Sequence, residues 1–259
     1  MWPNQRIQVS KLTPSVAIRA VKRAIYRPRS VGQSAERKIV REFHKLYYYA
    51  AHRTWKNNTF WLNVPTAKCP LDLWIYQEII FETKPDIIVE TGTAGGGSAL
   101  FLSSICDLIN CGQIITIDVN ELPDQPQHKR IKYLIGSSTS EEIVEEVRSL
   151  IKPSDRVMVI LDSDHSAEHV LREMNIYGGF VTNGSYLIVE DTNVNGHPVF
   201  RLHGAGPMEA VEQFVKAQTD FIVDRQREKF FMTFNPKGYL RRVARDRDQY
   251  SVLQYNDNV

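Results

Sequence analysis

Four apolar runs in this chain stop on a carboxylate. Ile87–Val89 meets Glu90, Ile114–Ile117 meets Asp118, Val157–Leu161 meets Asp162, and Tyr186–Val189 meets the pair Glu190-Asp191. A fifth run, Ile131–Ile135, stops on Gly136-Ser137-Ser138. The runs have strand length and no alternation, so both faces of each strand must be covered. Helical patterns fill the gaps: Ala99–Ile105, Glu141–Ile151 behind Ser140, and Ala167–Tyr177 before Gly178-Gly179. Strand and helix in alternation build a parallel sheet with helices on both faces. The last two apolar stretches, Phe221–Val223 and Phe230–Phe234, are joined by the polar segment DRQREK and predict an antiparallel pair at one edge. The expected fold is α/β: a doubly wound, mostly parallel, seven-stranded Rossmann-like sheet with an antiparallel C-terminal edge and an N-terminal helical extension.

In such sheets ligands bind beyond the carboxyl ends of the strands. The first strand runs into a glycine-rich turn, Glu90 to Ser98, and then into a helix. Glycine there lets the backbone take positive φ and lets a ligand come close. The helix N-terminus adds free N–H groups and a partial positive charge. Asp118 lies 21 residues beyond Gly97, a position that suits a carboxylate accepting hydrogen bonds from ribose hydroxyls. Gly92, Gly95, Gly96 and Gly97 lack the G-x-G-x-x-G spacing of a dinucleotide site. A nucleoside cofactor without a pyrophosphate, S-adenosylmethionine, fits the pattern better. Ser137 and Ser138 are placed to touch its adenine, although ordinary turn chemistry accounts for them equally.

Carboxylates crowded on one sheet edge repel one another unless cations or hydroxyls lie between them. Asp162, Glu190 and Asp191 end neighbouring strands, and three oxygen ligands at one point make a hard-cation site, with Mg²⁺ the natural occupant. His165, three residues after Asp162, titrates in the right range for a general base. His165 to His169 also reads H-x-x-E-H, a zinc-peptidase pattern. Its place just after a parallel strand, with no third ligand, makes that match a coincidence, and His169 is read as structural. An Fe²⁺ oxygenase with Asp162, His165 and His169 as a facial triad is the enzyme alternative, but it leaves Glu190-Asp191 without a role. His197 and His203, in the loop of about fifteen residues after that pair, are candidates for substrate contact.

A chain of 259 residues is long enough for one large α/β domain. The net charge of +2 hides an asymmetry, because residues 1–42 hold ten Lys/Arg and only two Asp/Glu. The basic stretch Val16–Ser30 reads as a solvated or oligomer-contacting arm in preference to a helix on an acidic membrane. The excess of basic over acidic residues is confined to that arm and no recognition motif follows, so no nucleic-acid partner is expected. The partition expected is a basic arm over 1–40 and a catalytic domain over 41–259. An aromatic-rich cap over 41–84 contains Tyr47, Tyr48, Tyr49, Trp55, Phe60 and Trp61. These aromatics are core packing or a wall over the cofactor. Cys69, Cys106 and Cys111 show no metal spacing, and no secretory pattern is visible, so a reducing, cytoplasmic setting is expected.

Several runs carry a resemblance: NTFWLNVPTAKCPLDLWIYQEII, KPDIIVETGTAGGGSALFLSSI, VMVILDSDHSAEHV, YLIVEDTNVNG and NPKGYLRRV. Over residues 43–245 the chain resembles the cephalosporin hydroxylase family, which includes rhamnosyl O-methyltransferases. The resemblance implies a class I methyltransferase sheet that binds S-adenosylmethionine and Mg²⁺. It implies metal ligands at Asp162, Glu190 and Asp191. The implied cofactor loop is Glu90 to Ser98, with Glu90, Gly92, Thr93, Gly95, Gly96, Gly97 and Ser98 as its residues. The reading reached is an Mg²⁺-dependent O-methyltransferase of a sugar or natural-product hydroxyl. Asp162 and His165 carry the chemistry, Asp118, Ser137 and Ser138 hold the cofactor, and a homo-oligomer is the expected assembly. A non-catalytic cofactor-binding scaffold is the remaining alternative.

Overall fold

Each of the five apolar runs forms a strand where the sequence places it. The computed structural model describes residues 32–56 and 58–244, so the basic arm lies outside the described residues as far as residue 31. The chain divides into two compact units, Met1–Arg41 and Glu42–Val259. In chain order the elements are α1 (Gln33–Tyr49), α2 (Ala51–Thr54), β1 (Phe60–Trp61), β2 (Val64–Pro65), α3 (Pro70–Thr83) and β3 (Ile87–Thr91). Then come α4 (Gly97–Leu108), β4 (Gln113–Asp118), β5 (Ile131–Ile135), α5 (Glu141–Leu150) and β6 (Val157–Leu161). The last are α6 (Ala167–Tyr177), β7 (Tyr186–Val189), α7 (Pro207–Ala217), β8 (Phe221–Val223) and β9 (Tyr239–Arg242).

The main sheet has seven strands in the order β5-β4-β3-β6-β7-β9-β8. The first five are parallel, and β9 runs antiparallel between β7 and β8. Every residue of β3 and β6 is buried, as unbroken apolar strands require. Alternate residues feed two cores. Ile87, Val89, Val157 and Val159 pack with α5, α6 and α7, while Ile88, Met158 and Ile160 pack with α3 and α4. The chain switches direction across the sheet between β3 and β6, which opens a crevice at their carboxyl ends. Among the described residues no helix is long and apolar enough to cross a membrane.

Two sequence expectations are corrected. The partner of β8 is Tyr239–Arg242, not Phe230–Phe234. Met232 and Phe234 instead enter a cluster with Cys69, Tyr47, Tyr48 and Trp55, and side-chain packing replaces a hydrogen-bonded ladder. Residues 71–83 also read as an amphipathic helix, yet α3 buries Asp72, Ile75, Tyr76, Ile79 and Ile80 while exposing Trp74 and Phe81. On the side of Asp72 the helix meets the segment around Phe234, whose N–H Asp72 Oδ2 accepts at 2.8 Å.

Candidate functional site

A cleft of about 510 Å³ opens at the carboxyl ends of the parallel strands. Gly92, Asp118, Ser137, Ser138, Asp162 and His169 are among its lining residues. Its volume is in the range of small-molecule and cofactor sites, roughly 300–1,000 Å³. Asp118, at the end of β4, is held by two backbone donors: Ala94 N–H at 2.9 Å and Asn120 N–H at 3.0 Å. A carboxylate has about four acceptor positions, so capacity remains for two more donors. On the far wall the Ser138 hydroxyl lies 3.3 Å from His169 Nε2, and Tyr177 donates its hydroxyl to the Ser138 carbonyl at 2.6 Å. Ser137 Oγ pairs with Thr139 Oγ1 at 3.3 Å.

The glycine turn divides into parts with different duties. Gly92 has φ +87°, and a Cβ there would stand 1.9 Å from the Asp162 carbonyl oxygen. It is glycine so that β3 and β6 can meet where the crevice begins. A Cβ at Gly97 would lie 2.1 Å from the Pro65 carbonyl oxygen, which lets β2 cross the start of α4. Gly96 caps α4, and Gly95 faces open space. Glu90, Thr93, Gly96, Gly97 and Ser98 do not line the cleft. Instead Thr93 and Thr116 share a hydroxyl bond of 2.7 Å, and Thr116 donates to Glu90 Oε2 at 2.7 Å. Glu90 is fully buried and its Oε1 has no hydrogen-bond partner. Burial pushes its carboxyl up, against Lys68 and the Ser98 and Thr116 hydroxyls.

Beside the cleft the acids from β6 and β7 meet two cations. Lys68, from the segment between β2 and α3, bonds Asp162 Oδ2 and, at 2.6 Å, Glu190 Oε1. His165 stands between Asp162 and Asp191, with Nε2 at 3.3 Å from Asp162 Oδ1 and Nδ1 at 3.4 Å from Asp191 Oδ2. One ligand atom each from Asp162, His165 and Asp191 lie within 4.8 Å of one another, a space the size of one metal ion's shell. Glu190 is outside that trio and is engaged by Lys68. Asp191 takes left-handed backbone, φ 52°, and its N–H donates to Asn235 Oδ1 at 3.1 Å. Strain of about 1–3 kcal/mol at such a residue persists only where its surroundings enforce it. Asn235, fully buried, is the enforcing group and also donates to the Tyr76 hydroxyl at 2.9 Å.

The electrostatics follow from three buried or half-buried acids, Asp162, Glu190 and Asp191, sharing two cations. Burial and the neighbouring Asp162 charge push Glu190 up to about 8, with Lys68 opposing. Asp191 is raised by burial, against His165. Burial works to raise Asp162 as well, but Lys68 and His165 overcome it and hold that carboxyl low. Burial would lower His165, yet its bond to Asp162 and the charges of Asp191 and Glu190 raise it to about 9. An excess of oxygen donors with insufficient positive charge suits a hard divalent cation.

The facial-triad alternative is not assembled. His169 Nε2 lies against Ser138 and, at 3.4 Å, Glu173, on the cleft side. Glu168 is exposed. His197 is tied to Glu209 at 3.0 Å. The aromatics also divide: Tyr47, Tyr48 and Trp55 surround Phe234, while Trp61 stacks edge-on against Phe101 and donates to Ser104 at 2.9 Å. None lines the cleft. Sequence reasoning missed Lys68, which bears no spacing relation to the acids. It undervalued His169 and did not single out Asn235.

The family model described as Rhamnosyl O-methyltransferase/CmcI matches residues 53–243. The rhamnosyl O-methyltransferase of Mycobacterium leprae is 37% identical over 224 residues, covering 83% of this chain and 93% of that protein. The rhamnosyl O-methyltransferase of Mycobacterium tuberculosis H37Rv is 36% identical over 211 residues, covering 78% of this chain and 84% of that protein. Among solved structures, CmcI with Mg and SAM superposes with a TM-score of 0.58 at 18% identity, covering 93% of this chain and 89% of that one. At that identity the likeness shows the fold.

Proposed function

The chain belongs to the rhamnosyl O-methyltransferase/CmcI family, and from that premise we propose that it is an S-adenosylmethionine-dependent, Mg²⁺-assisted O-methyltransferase of a sugar or natural-product hydroxyl. The observation that carries the reading is the juxtaposition at the switch point. A cleft bounded by Asp118 and Ser138 adjoins the cluster of Asp162, His165 and Asp191, and Asp162 belongs to both. When bound, the cofactor supplies an electrophilic methyl group, and the cation supplies charge that favours the ionised form of an acceptor hydroxyl.

The chain's own groups do the rest. Asp118 accepts from the ribose hydroxyls with the capacity its backbone bonds leave. Ser138 and His169 bound the opposite wall. Asp162, Asp191 and Glu190 would hold the cation. His165 is placed to accept the hydroxyl proton: a cation held by Asp162 and Asp191 would take up the carboxylate charge that raises its pKa, which would favour the neutral imidazole. Most of the rate gain comes from holding the hydroxyl and the methyl group in line.

The test is transfer of labelled methyl from S-adenosylmethionine to a panel of rhamnosides and polyhydroxylated aglycones. Label on an oxygen, lost in EDTA and restored by Mg²⁺, is the expected result. Absence of transfer to every acceptor would refute the activity, and full turnover in EDTA would remove the metal. Asp162→Ala should abolish metal-dependent turnover while leaving S-adenosylhomocysteine binding largely intact.

A further inference from the structure

Lys68 has no role in the reading above, yet it is the most committed cation of the site. It is 5% exposed and bonds two carboxylates at the ends of different strands, Asp162 just past β6 and Glu190 just past β7. An ammonium is buried this deeply only where paired charges replace its hydration. The oxygens it takes are specific. It holds Asp162 by Oδ2 and leaves Oδ1 to His165. It holds Glu190 by Oε1, and Glu190 is the acid missing from the trio whose donor atoms converge. A further acid lies within its electrostatic reach: the charge of Glu90 acts on Lys68, and Glu90 Oε1 is buried without a hydrogen-bond partner.

We infer that Lys68 is a positioning residue that serves as the site's built-in cation, and that a divalent metal binds by taking Glu190 from it. Without metal, the ammonium bridges Asp162 and Glu190, offsets their mutual repulsion and occupies the Glu190 oxygen. With metal, Glu190 would turn to the ion and the ammonium would keep Asp162 alone. The exchange gives up the Lys68–Glu190 ion pair for a metal–carboxylate bond, with no covalent or redox change: one cation replaces another on one carboxylate. Lys68 therefore sets the metal affinity of the site. This rests on the metal reading proposed above.

The experiment is Mn²⁺ binding, read from the electron paramagnetic resonance signal of free Mn²⁺, for the wild-type protein, Lys68→Met and Lys68→Arg. Removing one positive charge a few ångströms from a cation site should tighten Mn²⁺ binding by at least about tenfold in Lys68→Met. Lys68→Arg, which keeps the charge, should bind as wild type does. A merely structural lysine would lower the unfolding midpoint without tightening Mn²⁺, so equal or weaker affinity in Lys68→Met overturns the inference. Should Lys68→Met fail to fold, the wild-type protein with ¹³C-labelled lysine decides: a buried ε-carbon resonance should move as Mg²⁺ is added, and no lysine resonance moving overturns it. A wild-type protein that takes up no Mn²⁺ at all brings down the metal reading and this inference with it. Wild-type uptake with an unchanged Lys68→Met affinity brings down this inference alone.

Discussion

Gly92→Ala and Gly95→Ala should separate sharply, although both alter the same glycine turn. Gly92 sits at φ +87°, where an alanine costs about 1–2 kcal/mol. Its added Cβ would also meet the Asp162 carbonyl oxygen at 1.9 Å, well inside van der Waals contact. The obstacle is backbone of β6, which cannot rotate aside, so overpacking adds about 1–3 kcal/mol. The combined loss is about 2–5 kcal/mol, a large share of the 5–15 kcal/mol typical of a whole domain. At Gly95 a Cβ meets nothing within 4 Å, and alanine there should change stability by less than about 0.5 kcal/mol. Urea unfolding followed by tryptophan fluorescence measures both, with midpoint and slope read separately. Because the Gly92 clash falls on Asp162, Gly92→Ala should also weaken Mn²⁺ binding. Equal urea midpoints for the two variants would refute the close-approach argument.

Asp118→Ala should weaken S-adenosylhomocysteine binding by about tenfold to a hundredfold, the worth of one or two hydrogen bonds to a charged group, with calorimetry as the check; unchanged affinity would remove Asp118 from the ribose contact. In the metal-free protein His165 titrates near 9, above its ordinary 6.5, because Asp162 and the acids around it outweigh burial. Its stabilising contribution is thus complete below pH 6.5 and is lost as pH rises through about 9, so chemical denaturation across that window should show a falling stability that His165→Asn flattens. Asp72→Ala removes the acceptor of the Tyr239 hydroxyl at 2.9 Å and of the Phe234 N–H at 2.8 Å. Two buried donors left unpaired should cost about 2–6 kcal/mol in unfolding experiments.

The parallel half of the sheet was legible because its central strands, β3 and β6 above all, are buried on both faces and are written as unbroken apolar runs; the edge strand β5, with Lys132 in it and only Leu134 buried, carries the weaker signal. The C-terminal edge was less so. Tyr239–Arg242 carries two arginines in four residues and does not look like a strand, whereas Phe230–Phe234 does and spends its apolar residues on an aromatic cluster. Asp118, Ser137, Ser138, Asp162, His165 and Asp191 could be gathered from strand ends alone, since parallel strands bring all their carboxyl ends to one edge of the sheet. Lys68 could not, because it reaches the acids from a connection outside the alternating pattern, and a lone lysine among prolines and threonines gives no signal. The sequence of α3 reads as amphipathic, and the bond from the Phe234 N–H to the buried Asp72 is not visible in its pattern.

The central claim is that the cleft holds the methyl donor while the adjoining acids hold the cation. It is tested most directly by a crystal structure of the protein with S-adenosylhomocysteine and Mg²⁺. The account predicts the nucleoside in the cleft with its ribose hydroxyls on Asp118, and one ion bound by Asp162, Glu190 and Asp191 with the sulfur nearby. A nucleoside bound away from Asp118, or a fully occupied nucleoside with Lys68 still seated between Asp162 and Glu190 and no ion beside them, would contradict it.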